Sequence, residues 1–393
     1  MKKKVLLVWW YDRLDLIEPF LSMQDEVEFT VLFYRFPEQE NKAVADTLPF
    51  RRIFWLDYLS PYSLLMDVQP EKVLFFGNES VGTISLIAAA NVMKIETCYV
   101  SHGLRSSLDE VIVVKDSVQT IDRYREDNKY YTAKKWHTLL FLFLVISFRN
   151  LKTIHLVLQV LYAEFKIKNT FKKLLFITNP LKKKKKYYLF APENSLMMNE
   201  LDHPHSSQIK YTGPYMMDQL FQEMNTKSDD FKNYWLVIDQ PIAQLTSEER
   251  FDFYKSIGHQ ANSKGKKLKV KLHPMEYDRI QENDANIEWV KQSSDLSKLI
   301  NEASGIIGFY SALFLPIITF KKCILFDTGS TQLVHKWSDM EVVKLLNIKD
   351  FDIADINFDN FDVSESNKQK YIHQFVAYTD GNCTKRLKKL ITN

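Results

Sequence analysis

Glycine is scarce in this chain, with 10 among 393 residues, and no two form a Gly-x-Gly pair. The dinucleotide turn Gly-x-Gly-x-x-Gly and the phosphate loop Gly-x-x-x-x-Gly-Lys-Ser/Thr are both missing, so nicotinamide and P-loop nucleotide chemistry lose support. Gly-x-Ser-x-Gly is missing too, which weakens a hydrolase reading. The cysteines Cys98, Cys323 and Cys383 have no Cys-x-x-Cys spacing and suggest neither a disulfide framework nor a zinc site. His-x-x-x-His is absent, and His203 and His205 share a proline-containing loop without a second ligand pair. No metal site is expected there. Neither sign of charge dominates: 52 Lys and Arg face 49 Asp and Glu, a net +3 too small to point to nucleic acid. Apolar runs are short. Leu139–Ile146 is the most prominent, and Arg149 and Lys152 end it far below the about 20 residues of a membrane-spanning helix. Met1–Lys4 and Val5–Trp10 imitate a signal peptide, but Tyr11-Asp12-Arg13 interrupts and no small-residue cleavage site follows. A buried first strand and a cytoplasmic protein are expected.

What the chain has is aromatic bulk, 27 Phe and 19 Tyr, within an ordinary 46% hydrophobic content. Its length argues for two domains. Val5–Trp10 is a continuous apolar run, the kind of strand buried on both faces of a parallel sheet. Val27–Tyr34, Ile53–Leu56, Lys72–Phe76 and Thr97–Val100 read as further strands, with a small-residue helix over Ser80–Asn91. Alternating strands and helices predict a Rossmann-like first domain. Residues 124–181 differ: they read as a helical insertion, either packed on the sheet or resting on an anionic membrane surface through lysines including Lys182–Lys186. Tyr187–Phe190 and Gln208–Tyr211 read as strands around a loop, Ala191–Pro204. Ser228–Lys232 is a polar linker. The domains are placed at 1–225 and 226–393.

The second domain opens on the strand Trp235–Ile238, which ends at Asp239-Gln240-Pro241. Ser247–Lys264 is a helix, with Ser247 as a cap and Gly265 as a stop. The central stretch is Lys269–Asp327. It holds the strand ending in Leu272-His273-Pro274, a helix over Leu296–Ala303, the short strand Gly305–Gly308 running into Phe309-Tyr310-Ser311, a helix over Leu313–Phe320, and the strand Cys323–Phe326. Asp339–Leu346 and Lys368–Tyr378 also read as helices. Ligands of open parallel sheets sit at the carboxyl ends of the strands, where the strand order reverses. His273 and Ser311 both fall at such ends, and a histidine plus a hydroxyl beside a helix start suits a phosphate.

Lys-Leu-His-Pro followed about 35 residues later by Gly-Phe-Tyr-Ser-Ala-Leu resembles the His-Pro and serine motifs of bacterial sialyltransferases and polysialyltransferases. The same half resembles the wall teichoic acid glycerophosphotransferases. The resemblance covers roughly Tyr234–Asp327. It implies an α/β protein of the GT-B fold: two Rossmann-like domains facing a central cleft, acceptor side first and nucleotide-sugar side second. It also implies a metal-independent glycosyltransferase that moves sialic acid or a related CMP-activated sugar to an oligosaccharide or glycolipid acceptor of capsule or lipooligosaccharide. The nucleotide sugar is then a substrate and no cofactor is needed. A location at the inner face of the plasma membrane, in peripheral contact with anionic lipid, goes with such a product. Alternatives from the same residues are a CDP-polyol phosphotransferase of the teichoic acid type, a non-catalytic glycan-binding scaffold, and an epimerase, since Ser101-His102-Gly103-Leu104-Arg105-Ser106 resembles a loop of nucleotide-sugar 2-epimerases.

His273 is the leading catalytic candidate, stabilising the departing phosphate or donating a proton. Its alternative is a strand-end histidine bonded to backbone. Ser311, with Tyr310, is a phosphate ligand or a simple helix cap. Pro274 belongs to the His-Pro motif. Glu276 binds a donor ribose or caps a helix. Asp239 and Gln240 line the donor site or form a turn. The acidic base motif of the sialyltransferases has no counterpart here, whereas the His102-Gly103 pair resembles the His-Gly motif of the glycerophosphotransferases and makes His102 the candidate base. Asp12, Glu79 and Arg105 are the remaining acceptor-side candidates.

Overall fold

The computed structural model describes residues 2–9, 17–33, 48–77, 80–104, 128–147, 150–167, 170–226, 233–242, 245–273, 276–277, 284–291, 296–329, 331–359 and 361–393. Asp12, Glu79, Arg105 and Pro274 lie outside the described residues.

The chain divides into two compact units. Of the described residues, one unit holds those up to Met216 together with Cys383–Asn393, and the other holds those of Met217–Asn382. This differs from the 225/226 division in two places. The helix Asp218–Asn225 goes with the second unit, its Phe221 ring packing 6.2 Å from Phe320. The last helix, Cys383–Thr392, returns to the first unit. There the Lys72 ammonium and the Tyr188 hydroxyl both donate to the Leu390 carbonyl at 3.0 Å, and the Thr384 hydroxyl donates to the Tyr215 carbonyl at 2.9 Å.

The first unit is built on a parallel sheet of β1 (Lys3–Trp9), β2 (Val27–Phe33), β3 (Arg51–Phe54), β4 (Lys72–Phe75), β5 (Glu96–Val100), β6 (Lys186–Leu189) and β7 (Ile209–Tyr211). The strand order is β3-β2-β1-β4-β5-β6-β7. Val5–Val8 of β1 are buried on both faces, which is why that run does not alternate with polar residues. The helix Val81–Val92 is buried along Gly82–Ala90. Gly82 is obligatory on packing grounds, because a Cβ there would run into the Trp55 indole. Among the described residues, three helices, Asn128–Phe143, Leu151–Lys166 and Thr170–Phe176, stand between β5 and β6. No described helix is long and apolar enough to cross a membrane.

The second unit is a parallel sheet of β8 (Tyr234–Ile238), β9 (Lys267–Lys271), β10 (Ile287–Val290), β11 (Gly305–Gly308), β12 (Cys323–Asp327) and β13 (Lys344–Asn347). Its order, β10-β9-β8-β11-β12-β13, is that of a six-stranded doubly wound Rossmann sheet. Its core joins Trp235 and Val237 of β8, Val270 of β9 and Ile324 and Phe326 of β12 to Tyr254, Ile257 and Ala261 of the helix Ser247–Ser263. Thr246, not Ser247, caps that helix: its Oγ accepts the Glu249 N–H at 3.2 Å while Glu249 reaches back to the Thr246 N–H.

Four expectations are corrected. Residues 192–202 form a helix, not a loop; Pro192 starts it, and Met197, Met198 and Leu201 are buried. Residues 344–347 form the strand β13 on β12, because pairing with Leu325 and Phe326 outweighs the helical look of the local sequence. The helix expected over Leu313–Phe320 is confined to Phe314–Ile317, flanked by three-residue turns such as Phe314 N–H to Ser311 carbonyl and Thr319 N–H to Pro316 carbonyl. The lysine run Lys182–Lys186 does not face outward as a whole. Lys182 and Lys184 point inward, and Lys184 pairs with Asp202 at 3.1 Å where Tyr187 also donates, at 2.8 Å.

Candidate active site

In the second unit, β8 and β11 are neighbours and the strand order reverses between them. Asp239 and Gln240 follow β8, His273 follows β9, and Tyr310 and Ser311 follow β11. All lie at the carboxyl ends of three adjacent strands in the order β9-β8-β11. With strands about 4.8 Å apart, the His273 and Ser311 backbones are roughly 10 Å apart, with the β8 end between them. Gly308 lets the ends come close: a Cβ there would press on the Phe314 ring and lie 3.1 Å from the Ile238 carbonyl.

Beneath these residues is a buried ionic brace. Asp239 Oδ1 accepts from Arg250 Nε at 2.9 Å and from the Tyr254 hydroxyl at 2.7 Å. Asp239 Oδ2 accepts the backbone N–H of His273 at 3.1 Å. Arg250 Nη2 stands 2.9 Å from Glu276 Oε1, and the Glu276 N–H donates to the His273 carbonyl at 2.9 Å. Arg250 is 2% exposed, Asp239 3% and Glu276 4%, so these groups are braces for the loop and present no surface to a ligand. Asp239 and Glu276 therefore act on His273 from behind. Their proximity favours the Arg250 cation, which is held above its ordinary range although burial opposes it. The Tyr254 phenol is pushed well above its ordinary range by burial and by the Asp239 charge.

The half-buried His273 ring is set below the ordinary histidine value by burial; Asp239 and Glu276 counter this, and Lys271 and Arg250 add to it. Burial thus favours its uncharged form, which can gain a proton when an anion arrives. The Ser311 hydroxyl accepts the Leu313 N–H at 3.4 Å in a local turn ahead of the helix Phe314–Ile317, whose N-cap is Leu313 and not Ser311. The half-buried Tyr310 ring packs 5.7 Å from Trp337.

Sequence reading missed Arg250 and Tyr254. Their signal was present: Ser247, Arg250, Tyr254, Ile257 and Ala261 repeat at helical spacing, and an arginine on that inward stripe demands a buried partner.

In the first unit, β5 ends in Ser101-His102-Gly103. Ser101 is buried; its N–H donates to the Tyr188 carbonyl at 2.9 Å and its hydroxyl to the Gly103 carbonyl at 3.0 Å. Asn194, in the first turn of the helix Pro192–Asp202, donates to the same carbonyl at 3.0 Å. The loop is thus fixed from two sides. A Cβ on Gly103 would meet nothing within 4 Å, and the neighbouring His102 is half-buried. His203 and His205 are turn residues: His203 closes the helix at φ +47°, and His205 Nδ1 lies 2.8 Å from the Ser207 hydroxyl.

No protein-family model matches the chain, and no curated protein matches it by sequence. Solved structures do match in fold. The UDP-GlcNAc 2-epimerase of Methanocaldococcus jannaschii, solved with UDP-GlcNAc and UDP, is 14% identical, with 100% of this chain and 99% of that one covered and a TM-score of 0.50. The wall teichoic acid polymerase TagF, soaked with CDPG, is 9% identical over 100% and 88%, also at 0.50. The spinosyn forosaminyltransferase SpnP is 10% identical over 100% of both chains, again at 0.50. Together with the two Rossmann-type sheets, these likenesses define the fold as GT-B.

Proposed function

We propose that this protein is a GT-B glycosyltransferase that binds a nucleotide-activated sugar on its second unit. The observation that carries this reading is the switch point of the second sheet: His273, Gln240 and Ser311 at three adjacent strand ends, with His273 held by the buried Asp239–Arg250–Glu276 brace. A phosphate bound there raises the His273 affinity for a proton, and the imidazolium stabilises the charge of the leaving nucleotide. The acceptor hydroxyl attacks the anomeric carbon, the bond from that carbon to the phosphate oxygen breaks with its electron pair going to the phosphate, and the hydroxyl proton passes to a base. The base is His102, on its doubly pinned loop in the first unit. The donor is a CMP-linked sugar of the sialic acid kind and the acceptor a saccharide of a surface glycan, as the His-Pro and serine motifs suggest.

A second reading is polyol-phosphate transfer from a CDP-linked donor. The Ser101-His102-Gly103 loop favours it, because it keeps both histidines and only the bond broken changes. Thermal denaturation with CMP, CDP, UDP and GDP tests both. A ligand specific for the folded state at a hundred times its dissociation constant stabilises by about 2.7 kcal/mol. A CMP-selective rise that disappears in His273→Ala is the expected result. A CDP-selective rise selects the polyol reading, and no rise with any nucleotide refutes both.

A further inference from the structure

The helical insertion between β5 and β6 separates charge from the rest of the chain. Residues 128–176 contain eight lysines, one arginine and a single acid, Glu164, a net +8 in a chain of net +3. The remainder is therefore net −5. Glu164 is itself neutralised by Lys173 at 2.8 Å.

The same insertion exposes large apolar side chains in register. On the helix Asn128–Phe143, Trp136, Leu140 and Phe143 are 67%, 43% and 46% exposed and recur at steps of four and three residues. On the helix Leu151–Lys166, Leu158, Tyr162 and Phe165 are 61%, 53% and 74% exposed at the same steps. The opposite stripe of this second helix, Leu156, Val157, Val160 and Ala163, is buried, so both of its faces are apolar. Tyr162 stacks at 5.0 Å on Phe176 of the helix Thr170–Phe176, where Phe176 is also exposed, so the outward surface extends from the second helix to the third. Exposed lysines, among them Lys135, Lys152, Lys166 and Lys172, accompany these stripes.

We propose that this face of the insertion docks on an anionic lipid bilayer, lying in the plane of the headgroups. Apolar stripes alone would suit a protein partner as well; the lopsided positive charge selects a negatively charged surface. Helices of 16 residues are about 24 Å long, too short to span a hydrocarbon core of about 30 Å, so they lie along it. The lysine stems extend along the apolar surface while their ammonium groups reach the phosphates. The inference is independent of the reaction assigned to the second unit.

The test is co-sedimentation of the full chain with vesicles of phosphatidylglycerol mixed into phosphatidylcholine, and with phosphatidylcholine alone. Binding to the mixed vesicles that weakens with added salt is expected. Leu158→Gln with Phe165→Gln on one helix, and Trp136→Gln with Leu140→Gln on the other, should each weaken it at least about tenfold, with melting temperature and nucleotide response unchanged. Lys152→Glu with Lys166→Glu should weaken it and flatten the salt dependence. Equal binding to both vesicle types, or to neither, overturns the proposal. So does self-association without lipid that Phe165→Gln abolishes, which would assign the face to a second copy of the chain.

Discussion

Asp239 holds His273 by its backbone, with the carboxylate Oδ2 accepting the His273 N–H at 3.1 Å, while its other oxygen is taken by Arg250 and Tyr254. The position of the histidine is therefore set by a buried ionic group on the neighbouring strand end.

Arg250→Met leaves two buried carboxylates without their cation. It should cost about 3–5 kcal/mol of stability, read from urea denaturation. Arg250→Met combined with Asp239→Asn should recover part of that loss, because the charge left unpaired is smaller. A double variant no better than the sum of the two single changes would show that the brace is not coupled.

The pH response of His273 has opposite signs in the free and nucleotide-bound protein. Its folded-state value is lowered by burial, so the free protein loses this stability contribution as pH falls through the ordinary histidine value of about 6.5. A bound phosphate favours the imidazolium, so nucleotide affinity should increase over the same fall. Calorimetric titration from about pH 8 to about pH 6, compared with His273→Gln, isolates the effect. Equal pH dependence in both proteins would remove His273 from the phosphate site.

Lys182 is 5% exposed, and burial lowers its value to about 8, with the nearby Asp202 opposing the shift. The unfolded chain then binds more protons than the folded one between about pH 8 and about pH 10.5, so this group makes the protein more stable as pH rises through that window. A shift of this size corresponds to roughly 3 kcal/mol. Lys182→Met should be the more stable protein at pH 7, and its advantage should shrink as pH approaches about 10. Melting curves of the two proteins across that range give the difference directly.

Gly82→Ala drives a methyl group into the buried Trp55 indole. The expected cost is about 1–3 kcal/mol, measured by denaturant unfolding. Trp55→Phe in the same chain should relieve part of it.

Strands such as β1, β4 and β8 are legible from sequence because burial on both faces leaves short, unbroken apolar runs. β10 and β13 are not. Ile287–Val290 is only four residues long and is broken by Glu288, and Lys344–Asn347 carries residues that suit a helix equally well; each becomes a strand because β9 or β12 is there to pair with it. The strand-end residues His273, Ser311 and His102 were legible because turn chemistry interrupts apolar runs at those points. Arg250 was hidden by distance: its partner Asp239 lies eleven positions earlier on another element, and only the packing of the helix Ser247–Ser263 on β8 unites them. Lys182 and Lys184 were hidden by composition, since five consecutive lysines look like a solvated surface until the turn Pro180–Lys182 and the extended residue after it place two of them inward.

The return of the helix Cys383–Thr392 to the first unit sets an order of events during synthesis. Lys72, Tyr188 and Tyr215 each make a hydrogen bond to that helix, and the whole of residues 217–382 must leave the ribosome before those bonds can form. At bacterial or eukaryotic elongation rates that is a wait of roughly 10–30 s. Through that interval the surface of the first unit that receives the last helix, at Lys72 and Tyr188, stays uncovered, and the second unit can close on itself before the first is complete.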